Sequence, residues 1–217
     1  MWRYGTALAD DGWHAVAVDL RGHGTAPRAL DYTIAAYAAD VAGVRAPRGA
    51  WDLVIGHSLG GAATAQAAAD DADWTRRLIL VDPALHLLPA DREAVRRSQE
   101  EAFADTSVAA VRRAHPGWHP NDVELKALSA QQASVWAVEQ TSAQNPEWNV
   151  LDAVARLTVP THVIGSDPAV YTIYTGKIDE AVRAANPAVT QSVVAGAGHS
   201  PHRDRADETV RMLREAL

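Results

Sequence analysis

Cysteine is absent from the 217 residues. That excludes disulfides, thiolate nucleophiles and Cys-ligated zinc. Lysine is nearly absent too: of 20 basic residues only Lys126 and Lys177 are lysine. Positive charge is short overall, with a net charge of −7, so the basic footprint of a nucleic-acid binder is missing. No apolar run approaches the ~18 residues a membrane helix needs, and no charged-then-apolar leader opens the chain. The expectation is therefore a cytoplasmic protein without a membrane segment. Internal repeats and low-complexity linkers are also lacking. What is present is ordinary globular material, 47% apolar and 22% charged, in one domain's length of chain.

A short β-rich run, a turn and then a helical pattern recur along this chain. The strand candidates are His14–Leu20, Asp52–His57, Arg77–Asp82, Thr161–Gly165 and Gln191–Ala195. Each is nearly continuous in apolar character, as parallel strands covered on both faces require. Helical spacing follows in Thr33–Val44 behind the capping candidates Asp31 and Thr33, in Leu59–Ala69, in Lys177–Ala185 and in Arg203–Leu217. Trp2–Asp11 reads as a helix with Gly12 at its C-terminal cap. Asp152 reads as the N-cap of a further helix. Such alternation predicts an α/β fold with a mostly parallel sheet and helices on both faces. The stretch from His86 to Val150 breaks the rhythm, being helical and polar with Trp118, Trp136 and Trp148. It is read as a lid of residues 86–150 inserted into a single core of residues 1–85 and 151–217.

Sites in open α/β sheets lie at the carboxyl ends of the strands. There the second candidate strand runs into Gly56-His57-Ser58-Leu59-Gly60, a Gly-x-Ser-x-Gly motif that opens the Ala-rich helix. Three fixed residues at ~7% frequency each give about 0.07 chance matches in such a chain, so the strand-to-helix context carries the assignment. A serine on so sharp a turn has strained backbone angles, and its neighbours two before and two after must be nearly side-chain-free. Gly56 and Gly60 are expected to meet that demand. Ser58 is the candidate nucleophile. His199, in the glycine turn after the last strand, is the candidate base, with His202 as the nearby alternative. His57 is expected to shape the elbow. Asp167, just past the fourth strand, is the candidate acid and gives the chain order Ser…Asp…His; Asp82 at the end of the third strand is the runner-up.

These residues resemble the α/β-hydrolase family over nearly the whole chain. Asp19-Leu20-Arg21-Gly22-His23-Gly24 is similar to the loop after the family's fourth strand, and Gly56–Gly61 to the elbow after its fifth. Leu80-Val81-Asp82-Pro83 resembles the end of its sixth strand. Val159 to Asp167 resembles the seventh strand and its acid, and Gly196–His199 the histidine loop. The resemblance implies Ser58 as nucleophile, Asp167 as orienting acid, His199 as general base and the Leu59 amide as an oxyanion donor. It implies no cofactor and no metal. A metal reading through His115/His119 or His199/His202 is disfavoured, because Pro116 and Gly117 interrupt the first pair.

The chain departs from the family at its start. The family's first strands and the His-Gly loop that supplies a second oxyanion donor have no counterpart here. In the family the third strand lies between the fourth and the fifth. Leaving it out opens a gap of about 10 Å, two strand spacings, and exposes unpaired strand edges. Met1 is accordingly expected to be an internal methionine of a longer parent; the competing expectation is direct pairing of His14–Leu20 with the elbow strand. The implied activity is serine hydrolysis of a small-molecule carboxylic ester, lactone or thioester through an acyl-enzyme. Without the second donor it is expected to run about 10²–10³-fold below a longer parent. The alternative is a non-catalytic relative that binds a small ligand or a partner. The sequence does not fix the oligomeric state.

Overall fold

The computed structural model describes residues 1–174 and 176–217. Four parallel strands lie in the order β1 (Val54–His57), β2 (Leu78–Val81), β3 (Thr161–Ser166) and β4 (Thr190–Val194). Before them come α1 (Trp2–Asp10) and α2 (Ile34–Gly43), and α3 (Leu59–Asp70) joins β1 to β2. Between β2 and β3 run α4 (Pro89–Ala104), α5 (Val108–Ala114), α6 (Pro120–Gln132), α7 (Val135–Ala143) and α8 (Leu151–Arg156). Then α9 (Gly176–Ala185) leads to β4, and α10 (Pro201–Asp204) and α11 (Ala206–Glu215) close the chain. The α/β class and the parallel sheet predicted from sequence are present.

Alternation along β2 explains the layering. Leu78 and Leu80 join the core beneath α2, α3, α8 and α9, while Ile79 and Val81 join Tyr4, Leu8 and Leu213 beneath α1 and α11. All four β2 residues are buried, which is why the strand reads as an unbroken apolar run. Local signals set several boundaries. The Thr33 hydroxyl accepts the Ala36 N–H at 3.2 Å and caps α2. Gly12, at φ +87°, takes the chain out of α1 in the left-handed region.

Three expectations are corrected. His14–Leu20 forms no strand: Val16 and Val18 are 52% and 47% exposed, and the run has no ladder partner among the described residues. Its β-branched composition suits a strand, but strand formation needs a neighbour. The edge of β1 away from β2 carries none among the described residues, so direct pairing with the elbow strand is not observed. Asp152 is not an N-cap: Val150 occupies that position, and Asp152 lies in the first turn of α8. Finally, Arg203–Leu217 is not one helix, since Arg205 adopts φ −139° and separates α10 from α11.

Candidate active site

Backbone strain marks the site. Among the described non-glycine residues only Ser58, at φ 54°, and Asp82, at φ 36°, have positive φ. They end the neighbouring strands β1 and β2. Side chains in this region are disfavoured, and such residues persist where their surroundings over-determine them. The elbow is fixed by close packing on both sides. A Cβ on Gly56 would lie 2.2 Å from Thr64 Oγ1, and one on Gly61 would lie 2.6 Å from Pro83 Cβ. Gly60, expected along with Gly56 to be crowded, faces open space. After the serine the constraint therefore falls on Gly61, which packs against Pro83 in the loop after β2.

The serine and the imidazole meet. His199 Nε2 lies 2.9 Å from Ser58 Oγ, and its Nδ1 lies 2.6 Å from Asp82 Oδ2. A carboxylate can only accept, so Nδ1 carries the proton and Nε2 is left to accept the serine proton. The acid in contact with the imidazole is thus Asp82, not Asp167. Asp167 turns outward: its two oxygens accept the N–H groups of Gly196 at 2.7 Å and Ala169 at 2.8 Å. Those two bonds, the Gly196 one foremost, hold its carboxyl below the usual range. The reason lies in strand length. β3 continues to Ser166, which carries Asp167 past the sheet, whereas Asp82 follows β2 at once and stays beneath the imidazole.

Asp82 has no exposed surface, and four donors surround it. Besides His199, the Ser166 N–H reaches Oδ1 at 3.2 Å, the Ile173 N–H reaches Oδ2 at 3.3 Å, and the Thr172 hydroxyl donates to Oδ1. Burial pushes its carboxyl up. The bonds from His199, Thr172 and Ser166 outweigh that and hold it below the ordinary value, so the buried group is a carboxylate.

Two further histidines pack behind His199. The His57 ring lies 4.8 Å from that of His199 and 5.0 Å from that of His202, and His202 lies 5.6 Å from Tyr4. His57 Nε2 donates to the His199 carbonyl at 2.7 Å. Burial, then the neighbouring His199, lowers the His57 imidazole to about 3. Burial first and then His57 hold His202 well below the ordinary value. Both rings are neutral at pH 7. His202, the alternative base, is buried against Tyr4 and does not meet Ser58. The sequence placed His57 at the elbow, but its grip on the histidine loop is a tertiary contact without a local signal.

The remaining histidine candidates are engaged elsewhere. His115 stacks on Trp118 with ring centroids 3.7 Å apart, and His119 caps α6 by accepting the Asn121 N–H. Of the three tryptophans between β2 and β3, Trp148 is buried and donates to the Ala84 carbonyl at 2.6 Å, and it lines a pocket that opens on Ser58. Trp136 is 44% exposed and packs edge-on against Tyr32. Trp118 donates to Asp204 at 2.6 Å. Asp204 in turn accepts the Gly198 N–H, which ties the α5–α6 turn to the histidine loop. No described helix is long and apolar enough to cross a membrane.

The sequence profile described as "Alpha/beta hydrolase family" matches residues 1–212. The chain belongs to the alpha/beta hydrolase family. Among curated proteins it is similar to lipase LipV of Mycobacterium tuberculosis, 34% identical over 121 residues. That match covers 53% of this chain and 44% of the lipase, so the aligned part spans less than half of the relative's length. Among solved structures it resembles an N-formylmaleamic acid deformylase from Pseudomonas putida S16, with a TM-score of 0.79 and 24% identity. The likeness covers 98% of this chain and 86% of that one. An esterase from Exiguobacterium antarcticum superposes with a TM-score of 0.77 at 15% identity, over 99% of this chain and 85% of that one. At these identities the structural likenesses speak for the alpha/beta hydrolase fold, in which this family member sets Ser58, His199 and Asp82 side by side.

Proposed function

We propose that the chain is a serine hydrolase of small-molecule carboxylic esters, with lactones and thioesters as chemically equivalent substrates. The observation that carries this reading is the unbroken hydrogen-bonded line from Ser58 through His199 to Asp82. Ser58 Oγ attacks the carbonyl carbon and gives its proton to His199 Nε2. Asp82 stabilises the imidazolium that forms and keeps the ring in the required tautomer. The proton then passes to the departing alkoxide as the acyl–oxygen bond breaks. Water clears the acyl-enzyme by the same steps, with His199 again as base.

The first N–H groups of α3 have no intrahelical acceptor. The Leu59 amide directly follows the nucleophile, so it is the donor proposed to receive the oxyanion. The similarity to a lipase supports the choice of ester chemistry. The test is hydrolysis of a panel of p-nitrophenyl esters by the wild type and Ser58→Ala. Turnover that falls by at least about 10⁴-fold in the variant supports the reading. Folded wild-type protein without turnover, or undiminished turnover in Ser58→Ala, overturns it.

His57 has a testable part in this reading. By holding the carbonyl of His199, it fixes where the imidazole stands. Loss of that bond displaces the base, and displacements near 1 Å cost on the order of 10²-fold. His57→Phe, which keeps the ring and loses the donor, is expected to lower kcat by about 10–100-fold with KM nearly unchanged. His57→Gln can place an amide N–H near the Nε2 position and is expected to recover most of the loss. Steady-state kinetics of the two variants checks this.

A further inference from the structure

The pocket beside Ser58 contains one unbalanced charge. Most of its wall is apolar, from Leu59, Ala84, Leu87, Val138, Trp148 and Ile173. Arg92 of α4 stands in the same wall. Among the described residues it makes no ion pair, whereas ten other arginines do. Its neighbour Asp91 is occupied in accepting the Leu88 N–H at the start of α4.

Backbone carbonyls hold the guanidinium in place. Nη1 donates to Pro146 and Nη2 donates to Ser142 at 3.3 Å. Ser142 lies in the last turn of α7, whose free carbonyls and dipole suit a cation. These two bonds use two of the roughly five N–H donors of an arginine. They fix the fork without neutralising it. A positioned, uncompensated guanidinium in a largely apolar pocket attracts an anion, and its planar fork matches a carboxylate. One cation balances one carboxylate; a phosphate dianion would call for a second.

Building on the ester-hydrolase reading of Ser58, we propose that the acyl part of the substrate carries a carboxylate and that Arg92 receives it. The acyl part is the one retained in the acyl-enzyme, and it is the part suited to a pocket walled by α4 and α7. The leaving alcohol departs from the open side. Arg92 is then the residue that sets specificity, and hydrolysis releases a dicarboxylic acid.

The experiment compares two esters of equal chain length, the mono-p-nitrophenyl ester of adipic acid and p-nitrophenyl hexanoate. The wild type is expected to favour the anionic ester by at least about tenfold in kcat/KM, with the preference shrinking at high salt. Arg92→Met is expected to erase that preference, and Arg92→Lys to keep part of it. A wild type that favours hexanoate, or an Arg92→Met protein that keeps the anionic preference, overturns the proposal. If Arg92→Met does not fold, the wild-type ratio and its salt dependence decide. If neither ester is turned over, protection of Ser58 from a fluorophosphonate decides instead. Adipate protecting better than hexanoate supports the proposal, and the reverse refutes it. Absence of any labelling means that the reading of Ser58 has failed, and the assignment of Arg92 falls with it.

Discussion

Asp82→Asn is expected to lower kcat/KM by about 10³–10⁴-fold, while Asp167→Asn stays within about threefold of wild type. The reason is the tautomer of His199. Asp82 Oδ1 accepts from the Ser166 N–H and from the Thr172 hydroxyl, and the loss is expected for an asparagine that keeps its carbonyl oxygen on that side. Its NH₂ then faces His199 Nδ1, where Oδ2 stood at 2.6 Å. That donor forces Nδ1 to accept and puts the proton on Nε2, which can no longer take one from Ser58. The same NH₂ also confronts the Ile173 N–H, so a loss of stability accompanies the loss of activity. Asn at 167 keeps an acceptor for its backbone partners and touches neither Ser58 nor His199. Parallel kinetics on the two variants decides between the carboxylates; equal losses, or a larger loss at 167, would contradict the assignment.

The second large effect is on stability in mild acid. His57 and His202 are held neutral in the folded protein, with the His57 imidazole lowered to about 3. In the unfolded chain an imidazole titrates near 6.5. Between those values the unfolded state binds protons that the folded state does not, so stability rises with pH. The contribution is complete above about pH 6.5 and is lost as the pH falls towards 3. Each pH unit is worth about 1.4 kcal/mol per group, so the His57 ring gives a loss of about 2–3 kcal/mol between pH 7 and pH 4.5, and His202 adds to it in the same direction. His115 and His162, also lowered chiefly by burial, act in the same direction. Asp82 acts in a lower window. Its depressed carboxyl contributes stability above about 3.9 and loses it only below that value. Urea titrations at pH 7.5 and pH 5 measure the effect. The midpoint is expected to be markedly lower at pH 5, with a smaller drop in His202→Phe. A midpoint independent of pH across that range would mean that the two rings are not buried neutral.

Ser58 and His199 were legible in the sequence because local chemistry marks both. Each follows a β-rich run and sits among glycines, so turn geometry alone aims them at one end of the sheet. The acid was not legible in the same way. Asp82 and Asp167 both follow strands, and the choice depends on how far each strand runs before the chain turns. β3 ends one residue later than the pattern predicted, and that residue moves Asp167 away from the imidazole. A hint lay in Asp82-Pro83, an acid followed at once by proline, which leaves no loop to carry the carboxylate away. His14–Leu20 shows the opposite failure. Its residues suit a strand, but no partner lies beside it, and strand formation is a property of pairs. Arg92 lies in the stretch read from sequence only as helical and polar, and what singles it out is its place in the wall of the pocket beside Ser58.

The most direct measurement of the central claim is the rate and position of covalent labelling by a fluorophosphonate, read by peptide mass spectrometry. One phosphonyl group is expected on Ser58, absent in Ser58→Ala and formed at least about 10³-fold more slowly in Asp82→Asn. A folded protein that stays unlabelled, or one that reacts equally well after Ser58 or Asp82 is replaced, would contradict the claim.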